Sequence, residues 1–355
     1  MALPGVLPQA AAVAPQSALE PGGPGAAEID WLWDLMLWSG TAVTLLVTAL
    51  LLFALFRRRQ ARELPPEADR PPDPRGEQGN VETGGRGRSD TGLPESERKG
   101  ARWMIVGGVV FPSVVLTALF LLNLQVLGVL YPRGDEPAAL TIEVTGRQWW
   151  WDVRYLDSAP GNSVRTANEL HLPVGQRVRL RLRSQDVIHS FWVPGLQGKI
   201  DMIPGRTNTF WVQADSSGVW RGQCAEFCGM QHAKMAFVVV ADPPERFAEW
   251  LANERRPAAE PTDSAGRAAR ATFLSSGCVL CHTVRGTAAQ AQAGPDLTHV
   301  ASRKTLAAGE LPNTRGNLFG WIANPQALKP GTRMPAVPMT RDELHAITSY
   351  IGSLR

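Results

Sequence analysis

The chain has 355 residues, of which 44% are hydrophobic, and its formal net charge is +3. This length has room for two or three domains. The near-neutral charge indicates no strongly charged partner, and the polar content excludes a chain that lies mostly inside a membrane. The four cysteines form two close pairs, Cys224 with Cys228 and Cys278 with Cys281. Each pair has a histidine beside it, as metal and haem sites require and disulfide frameworks do not.

Two uncharged apolar runs lie in the N-terminal third. Residues 1–30, before them, are rich in Ala, Pro and Gly and are expected to form a disordered external tail. The runs Leu35–Phe56 and Met104–Leu130 each exceed the roughly 20 apolar residues that cross a bilayer. We therefore predict a transmembrane hairpin over residues 31–131. Its connecting segment, residues 57–102, is rich in Pro and Gly and is expected to be a disordered cytoplasmic loop.

Basic residues indicate the orientation of this hairpin. Arginines and one lysine crowd the inner ends of the two runs, whereas the N-terminal tail contains no Lys or Arg. Basic residues favour the cytoplasmic side of a membrane. Both termini are therefore expected outside the cytoplasm, on the periplasmic side of a bacterial inner membrane.

Beyond the hairpin, the pattern predicts a strand-rich domain followed by a helical one. Arg177–Arg183 alternates charged and apolar residues, as a half-buried strand does, and other short β-prone runs lie nearby. These runs predict a β-sandwich over residues 133–253. A linker rich in Ala, Pro, Glu and Arg is expected at residues 254–265, and a helical domain over residues 266–355.

The second cysteine pair carries the attachment signal for haem c. Cys278, Cys281 and His282 form a C-x-x-C-H motif, in which the two thiols bind the vinyl groups of haem and the histidine binds the iron. A thioredoxin-like redox pair is the alternative, but it needs a βαβ context that is absent here. The motif therefore predicts a covalent haem.

Two later segments resemble those of small class I cytochromes c. Residues 294–297, GPDL, resemble the loop that follows the haem histidine, and Trp321–Met339 resembles the loop that bears the methionine ligand. Met334 lies in an Arg-Met-Pro context and is the expected sixth iron ligand, in preference to the nearby Met339. Histidine and methionine together raise the reduction potential of a haem.

The first cysteine pair lies in the sequence GQCAEFCGMQHAKM, residues 222–235. A disulfide, a zinc knuckle, or two buried thiols beside a surface histidine are all open alternatives. A zinc site with two Cys and two His would leave Met235 without a role, and a single blue copper would leave one thiolate over. Two thiolates that bridge two coppers would use every ligand, with His189 as the second imidazole. The chemistry favours this last interpretation.

The pattern G-Q-C-x-E-x-C-G-x-x-H-x-x-M, with D-V-x-H-S-F-x-V-P upstream, resembles subunit II of the haem–copper cytochrome c oxidases. The resemblance covers residues 30–245, hairpin included, and the attached cytochrome domain is similar to that of the fused caa-type members. It implies a multi-domain chain with a two-helix transmembrane hairpin, an all-β cupredoxin-like Greek-key sandwich and an all-α class I cytochrome c domain.

The resemblance also implies roles for individual residues. Cys224 and Cys228 are expected to bridge the coppers of a binuclear CuA centre, and the Glu226 side chain to contribute to a magnesium site shared with the catalytic subunit. Trp149 belongs to the aromatic segment through which electrons enter. The complete expected copper ligand set, in which Glu226 acts through its main-chain carbonyl, is His189, Cys224, Glu226, Cys228, His232 and Met235.

The function implied by the resemblance is electron entry into a cytochrome c oxidase. Electrons are expected to pass from an external donor to haem c, then to CuA, then to subunit I, which reduces O2 to water. Subunit I, subunit III and the donor are the expected partners, and no residue of this chain is expected to act as an acid, base or nucleophile. A CuA-bearing subunit of a nitric oxide reductase is the alternative, against which the two-helix hairpin argues. A membrane copper-delivery or zinc-binding protein is a second alternative, against which the ligand set and haem argue.

Overall fold

The computed structural model describes residues 17–62, 95–131, 138, 140–157, 159 and 162–355. Residues 1–16 of the predicted tail, most of the predicted cytoplasmic loop and the first residues of the predicted β-sandwich lie outside the described residues. The segment from Trp31 to Gln125 forms one compact unit, and the flanking chain forms a second.

Two helical stretches are long and apolar enough to cross a membrane, Pro24–Arg58 and Arg98–Leu130. The first belongs to helix α1, which runs from Pro24 to Arg62. The second consists of α2 (Glu95–Ile105), one π-helical turn and α3 (Phe111–Leu130). Both ends of the predicted loop are thus helical, because each helix continues past its apolar run. Most apolar side chains of these helices are exposed, as expected where lipid and other subunits are the neighbours.

The expectation of a disordered tail needs correction for residues 17–30. Gly22 donates to the Gly195 carbonyl at 2.6 Å and accepts from the Asp215 N–H at 2.9 Å, and α1 already begins at Pro24. A Cβ on Gly22 would lie 2.8 Å from the Trp220 ring, so only glycine permits this approach. The composition that is typical of disorder here serves close packing.

The β domain is a sandwich of two five-stranded sheets, with strand orders β3-β2-β1-β5-β8 and β4-β10-β9-β6-β7. The β1–β5 and β4–β10 pairs are parallel, and the others are antiparallel. The strands are β1 Thr141–Arg147, β2 Trp150–Leu156, β3 Val164–Ala167, β4 Glu169–Pro173, β5 Val178–Ser184, β6 His189–Trp192, β7 Ile200–Met202, β8 Asn208–Val212, β9 Gly218–Cys224 and β10 Ala236–Asp242.

The alternation predicted for residues 177–183 occurs in β5. Its Val178, Leu180 and Leu182 are buried between the sheets, and the intervening arginines point outward. Phe191 of β6 and Phe210 of β8 meet them in the core. This core fixes the ends of β6 and β9, which carry two of the predicted copper ligands, His189 and Cys224.

After β10, helix α4 (Pro244–Glu254) packs on the β domain through Phe247 and Trp250. The helical domain that follows has its own core, in which the Phe273 and Tyr350 rings lie 5.3 Å apart. A short two-stranded hairpin accompanies its helices. The elements are α5 Ser264–Ser275, β11 Thr305–Leu306, β12 Leu311–Pro312, α6 Arg315–Ala323, α7 Pro325–Leu328 and α8 Arg341–Ile351.

Candidate copper centre and haem cavity

Two thiols meet where β9 gives way to the loop that leads into β10. This copper loop, residues 224–235, begins with Cys224 as the last residue of β9, and Cys228 follows one turn later. Both cysteines are buried and free, and their Sγ atoms lie 3.7 Å apart. A disulfide requires about 2.05 Å, so the pair is not a disulfide. Two sulfurs this close and buried suit a shared metal centre.

Each thiol has its own imidazole. His189, the first residue of β6, places Nδ1 3.8 Å from the Cys224 sulfur, whereas His232 of the copper loop places Nδ1 3.6 Å from the Cys228 sulfur. Strand β6 pairs with β9, and this pairing brings two residues 35 positions apart in the chain into contact. The sequence expectation that His189 joins the loop ligands is thus met in space.

The two weak ligands expected from the resemblance lie at different sulfurs. The Met235 sulfur is 3.8 Å from that of Cys228, and the main-chain oxygen of Glu226 is 3.1 Å from that of Cys224. The Glu226 side chain is exposed, which leaves its carboxylate accessible to another subunit. All six sequence-predicted ligand groups therefore converge on the thiol pair.

The spacing of the donors fits two metal ions better than one. The ligand atoms of His189, Cys224 and Cys228 all lie within 4.8 Å of one another, but His232 falls outside that group. Donors at about 2.3 Å from a single ion cannot be more than about 4.6 Å apart. The donor set, with two thiols and an imidazole beside each of them, would suit two metal ions.

Groups around the ligands fix their orientation and charge. His189 donates from Nε2 to Asp186 Oδ1 at 2.9 Å, which leaves Nδ1 free toward the sulfur. Asp186 in turn accepts from the Gln148 N–H at 2.8 Å. A hydrogen bond from the Cys228 thiol lowers the pKa of the Cys224 thiol despite burial. The pair therefore favours a thiolate at one sulfur, which is the form that binds metals.

The aromatic segment, residues 148–151, lies directly against the copper loop. The Trp149 indole N–H and the Gln148 side-chain amide both donate to the Cys228 carbonyl at 2.9 Å. Trp151 is buried in the β core, and Trp150 is stacked under the Arg147 guanidinium at 5.2 Å. Of the three tryptophans, Trp149 is thus the one bonded to a predicted copper ligand.

The haem-attachment motif opens into a cavity of about 430 Å³. Cys278, Cys281 and His282 line it together with Met334, whereas Met339 packs against the apolar core of the domain. This volume is typical of a buried cofactor site. The placement favours Met334 over Met339 as the sixth ligand.

The histidine of the motif is held in a form that can bind iron. His282 donates from Nδ1 to the Pro295 carbonyl at 2.8 Å, which leaves Nε2 as the ligand atom. Burial lowers the pKa of His282 and keeps its imidazole neutral. A Cβ on Gly294 would lie 2.8 Å from the His282 ring, which explains glycine in the GPDL loop. These residues fit a covalent haem.

Comparison with known proteins identifies the family. A family model for cytochrome c oxidase subunit II, periplasmic domain, matches residues 159–242, and one for cytochrome c matches residues 267–355. Cytochrome c oxidase subunit 2 of Alkalihalophilus pseudofirmus is 32% identical over 344 residues, which are 96% of this chain and 91% of that protein. The chain belongs to the cytochrome c oxidase subunit 2 family. Cytochrome c oxidase subunit 2 of Bacillus sp. strain PS3 is 30% identical over 266 residues, or 69% of this chain and 72% of that one.

A solved structure is similar to about a third of the chain. The periplasmic domain of subunit II of cytochrome oxidase from Bradyrhizobium japonicum is 32% identical, with a TM-score of 0.32. The match covers 34% of this chain and 97% of that chain.

Family membership confirms the family and the fold class that were predicted from the sequence. This cytochrome c oxidase subunit 2 is part of a haem–copper oxidase, an oxidoreductase, and subunit I is its partner there. The subunit II domain implies copper, and the fused cytochrome domain implies haem c. The two apolar helices fit a membrane subunit of a bacterial oxidase.

Two residues beside the site, Asp186 and Lys329, had no role predicted from the sequence. Asp186 stands in the quoted motif around His189, and its contact with that ring needed only the spacing of three residues to be suspected. Lys329 has no such signal, because its partners, Trp149 and Ala307, are 180 and 22 positions away.

Proposed function

We propose that this subunit 2 accepts electrons from an external respiratory donor at haem c and delivers them through a binuclear CuA centre to subunit I, where O2 is reduced. Haem c and CuA each supply one-electron chemistry without an exchange of ligands. Cys278, Cys281, His282 and Met334 hold the first. His189, Cys224, the Glu226 carbonyl, Cys228, His232 and Met235 hold the second.

The convergence of all six copper ligand groups on one buried thiol pair supports this proposal most strongly. A rigid site is what a one-electron relay needs, because ligand movement between oxidation states slows transfer. Strand ends hold the ligands: the Cys224 N–H donates to the Met235 carbonyl at 2.9 Å, and the Ala225 N–H donates to the Ser190 carbonyl at 3.0 Å. The sheet therefore fixes both ends of the loop.

The surroundings of the two sites complete the proposal. The copper and haem domains would lie on the periplasmic side, because basic residues flank the inner ends of the helices. The exposed Glu226 carboxylate would supply one ligand to a magnesium ion at the contact with subunit I. Subunit III is the further partner that we propose.

A crossed pair of cysteine variants tests the assignment in the full-length chain. Cys228→Ser should lose both coppers and the mixed-valence EPR spectrum that a shared electron gives, while the haem stays attached. Cys281→Ser, the matched control in the other pair, should retain two coppers per chain and lose one thioether bond. Metal analysis and haem staining after denaturation report the two sites separately.

The proposal would be wrong if the wild-type chain bound a single zinc ion, or a single copper with a four-line EPR spectrum. It would also be wrong if Cys228→Ser retained both coppers. Loss of haem from Cys228→Ser alone would indicate that the two sites do not load independently.

A further inference from the structure

Lys329 is a buried lysine whose partners belong to two domains. It follows α7 in the cytochrome domain, and its side chain is 2% exposed. The ammonium donates to the Trp149 carbonyl of the β domain at 2.9 Å and to the Ala307 carbonyl of its own domain at 3.0 Å. Among the ion pairs of the described residues, none includes Lys329.

Burial of a lysine side chain costs free energy, so the contacts of Lys329 are expected to have a structural role. Burial disfavours the ammonium and lowers the pKa of Lys329 to about 8, although the charge of Glu310 opposes this shift. Two main-chain carbonyls offset part of that cost by accepting its protons. Removal of the amine would leave both carbonyls without that donor, and an unpaired buried acceptor is itself unfavourable. The contact is therefore specific to this arrangement of the two domains.

The partner of Lys329 leads directly to the copper centre. Trp149, whose carbonyl accepts from Lys329, donates from its indole N–H to the carbonyl of Cys228, a predicted copper ligand. Lys329 lies five residues before Met334, the predicted haem ligand. One tryptophan thus bridges the methionine-bearing loop of the cytochrome domain and a copper ligand.

Further contacts join the same two surfaces. The docking loop, residues 328–334, accepts hydrogen bonds from Lys234 at Leu328 and from Gln231 at Pro330. Arg333 lies 3.7 Å from Asp186, the residue that holds His189, but its side chain is 71% exposed. The Ala236 N–H donates to the Ala308 carbonyl at 2.9 Å. The cytochrome domain therefore contacts the second half of the copper loop and the residue that follows it, Ala236.

We propose that Lys329 is the positioning residue that fixes the cytochrome domain on the aromatic segment and the copper loop, so that the two redox domains work as one docked unit. The electron-transfer consequence rests on the proposed function, whereas the docking itself does not. One electron would leave reduced haem c and one would arrive at oxidised CuA, with no bond made or broken. In the docked arrangement the distance between haem c and CuA is fixed, whereas a flexible tether would let it vary.

The linker has the contacts expected of a docked unit. Ala258 donates to the Arg285 carbonyl at 2.9 Å, and His299 donates to the Arg256 carbonyl at 3.0 Å. Residues 256–258 are therefore bonded to the cytochrome domain. A free tether of the kind that composition suggests for residues 254–265 would leave these groups in water.

Hydrogen exchange in the full-length chain tests the proposal through the Ala236 amide, which bonds across the two domains. Lys329→Met should raise the exchange of peptides that cover residues 236 and 149 by about tenfold or more, because the Trp149 and Ala307 carbonyls lose their shared hydrogen-bond donor. Lys304→Met is the matched control. It removes the same charge from the same domain, but Lys304 is exposed and bonds to Glu169 through its backbone N–H.

Two further readouts decide the role. Flash-induced transfer from haem c to CuA should slow in Lys329→Met, while the haem spectrum, the copper EPR spectrum and reduction of haem c by a small-molecule donor stay as in the wild type. Unchanged exchange in Lys329→Met would overturn the proposal whatever the metal content. A chain without CuA would overturn the proposed function but would leave the exchange result intact.

If Lys329→Met does not fold, a salt titration of the wild-type chain still tests the proposal. Exposed pairs such as Arg333–Asp186 are screened by salt, whereas buried contacts are screened much less. Protection of the Ala236 amide should therefore persist at high salt. Loss of that protection would show that exposed charges, and not Lys329, hold the domains together.

Discussion

The copper centre and the haem cavity lie in one compact unit, yet the protein builds them in different ways. The predicted copper-binding groups lie 3.1 to 3.8 Å apart, held by strand ends and backbone hydrogen bonds. The predicted haem ligands instead line a cavity of about 430 Å³. The sheet positions the predicted copper site, whereas the haem would fill a cavity beside the core of its own domain.

The largest expected effect of that difference follows from removing the haem or the copper. Apolar side chains of the cytochrome domain line that cavity, among them Phe273, Leu318 and Ile347, and removal of haem would take away the group that fills it. Loss of that packing destabilises a domain whose net stability is only about 5 to 15 kcal/mol. Replacing Cys278 and Cys281 together with Ala should therefore unfold much of residues 266–355, as seen by hydrogen exchange and by loss of helical circular dichroism.

The matched change on the copper side is chelation of the metal or Cys228→Ser. It should leave protection in β5, β6 and β10 close to that of the wild type, because apolar contacts such as those of Leu180, Phe191 and Val239 hold these strands together. Equal loss of protection in both domains would contradict the comparison. So would a haem-free cytochrome domain that remains fully protected.

The pH dependence of docking should show the next largest effect. The pKa of Lys329 is about 8 when the domains are docked, against an ordinary value of 10.5 for a hydrated lysine. Protonation is therefore disfavoured in the docked state, and docking should strengthen as the pH rises from about 8 to 10.5. The limit is about 3 kcal/mol over that window. Below pH 8 both states carry the proton, so this dependence should vanish.

Exchange protection of the Ala236 amide, corrected for the intrinsic rate, measures this dependence. Lys329→Met should abolish the rise above pH 8, whereas Lys304→Met should retain it. A rise that persists in Lys329→Met would assign the titration to another group.

Asp186→Asn should give a smaller effect, confined to the copper side. The carboxylate accepts from His189 with one oxygen and from the Gln148 N–H with the other. An amide offers only one acceptor, so the imidazole is held less firmly. Loss of such a partner typically lowers metal affinity by about 10- to 100-fold. Competition with a copper chelator measures the change.

Asp201→Asn is the matched control for this prediction, because it removes the same charge from an exposed position on the neighbouring strand β7. Its copper affinity should equal that of the wild type. Equal weakening in both variants would point to net charge rather than to the orientation of His189.

The sequence allowed the metal chemistry to be predicted because ligands cluster in short motifs. Cys224, Cys228, His232 and Met235 fall within one loop, and the haem thiols lie three residues apart. His189 was predicted from the need for a second imidazole and from the resemblance, whereas the β6–β9 pairing is what brings it to the thiols. Spacing along the chain gives no information on such a contact.

The docking contacts and the structured tail were beyond prediction for the same reason. From the sequence alone, Lys329 resembles any surface lysine, because its contact with Trp149 depends on the fold of two domains. Gly22 likewise resembles part of a disordered segment, because its contacts with Trp220 and Gly195 depend on the tertiary structure. Composition describes average behaviour, and these residues depend on one specific tertiary neighbour.

The contact of residues 17–30 with the β domain bears on the preparation of soluble fragments. A fragment that starts after α3, the natural choice for spectroscopy, would leave out Gly22, which covers Trp220 and pairs with Gly195 and Asp215. It would expose an indole and two main-chain groups at one edge of the domain. Fusing residues 17–23 to such a fragment through a short linker would restore the missing partner. We expect the fused form to be more soluble and to melt at a higher temperature.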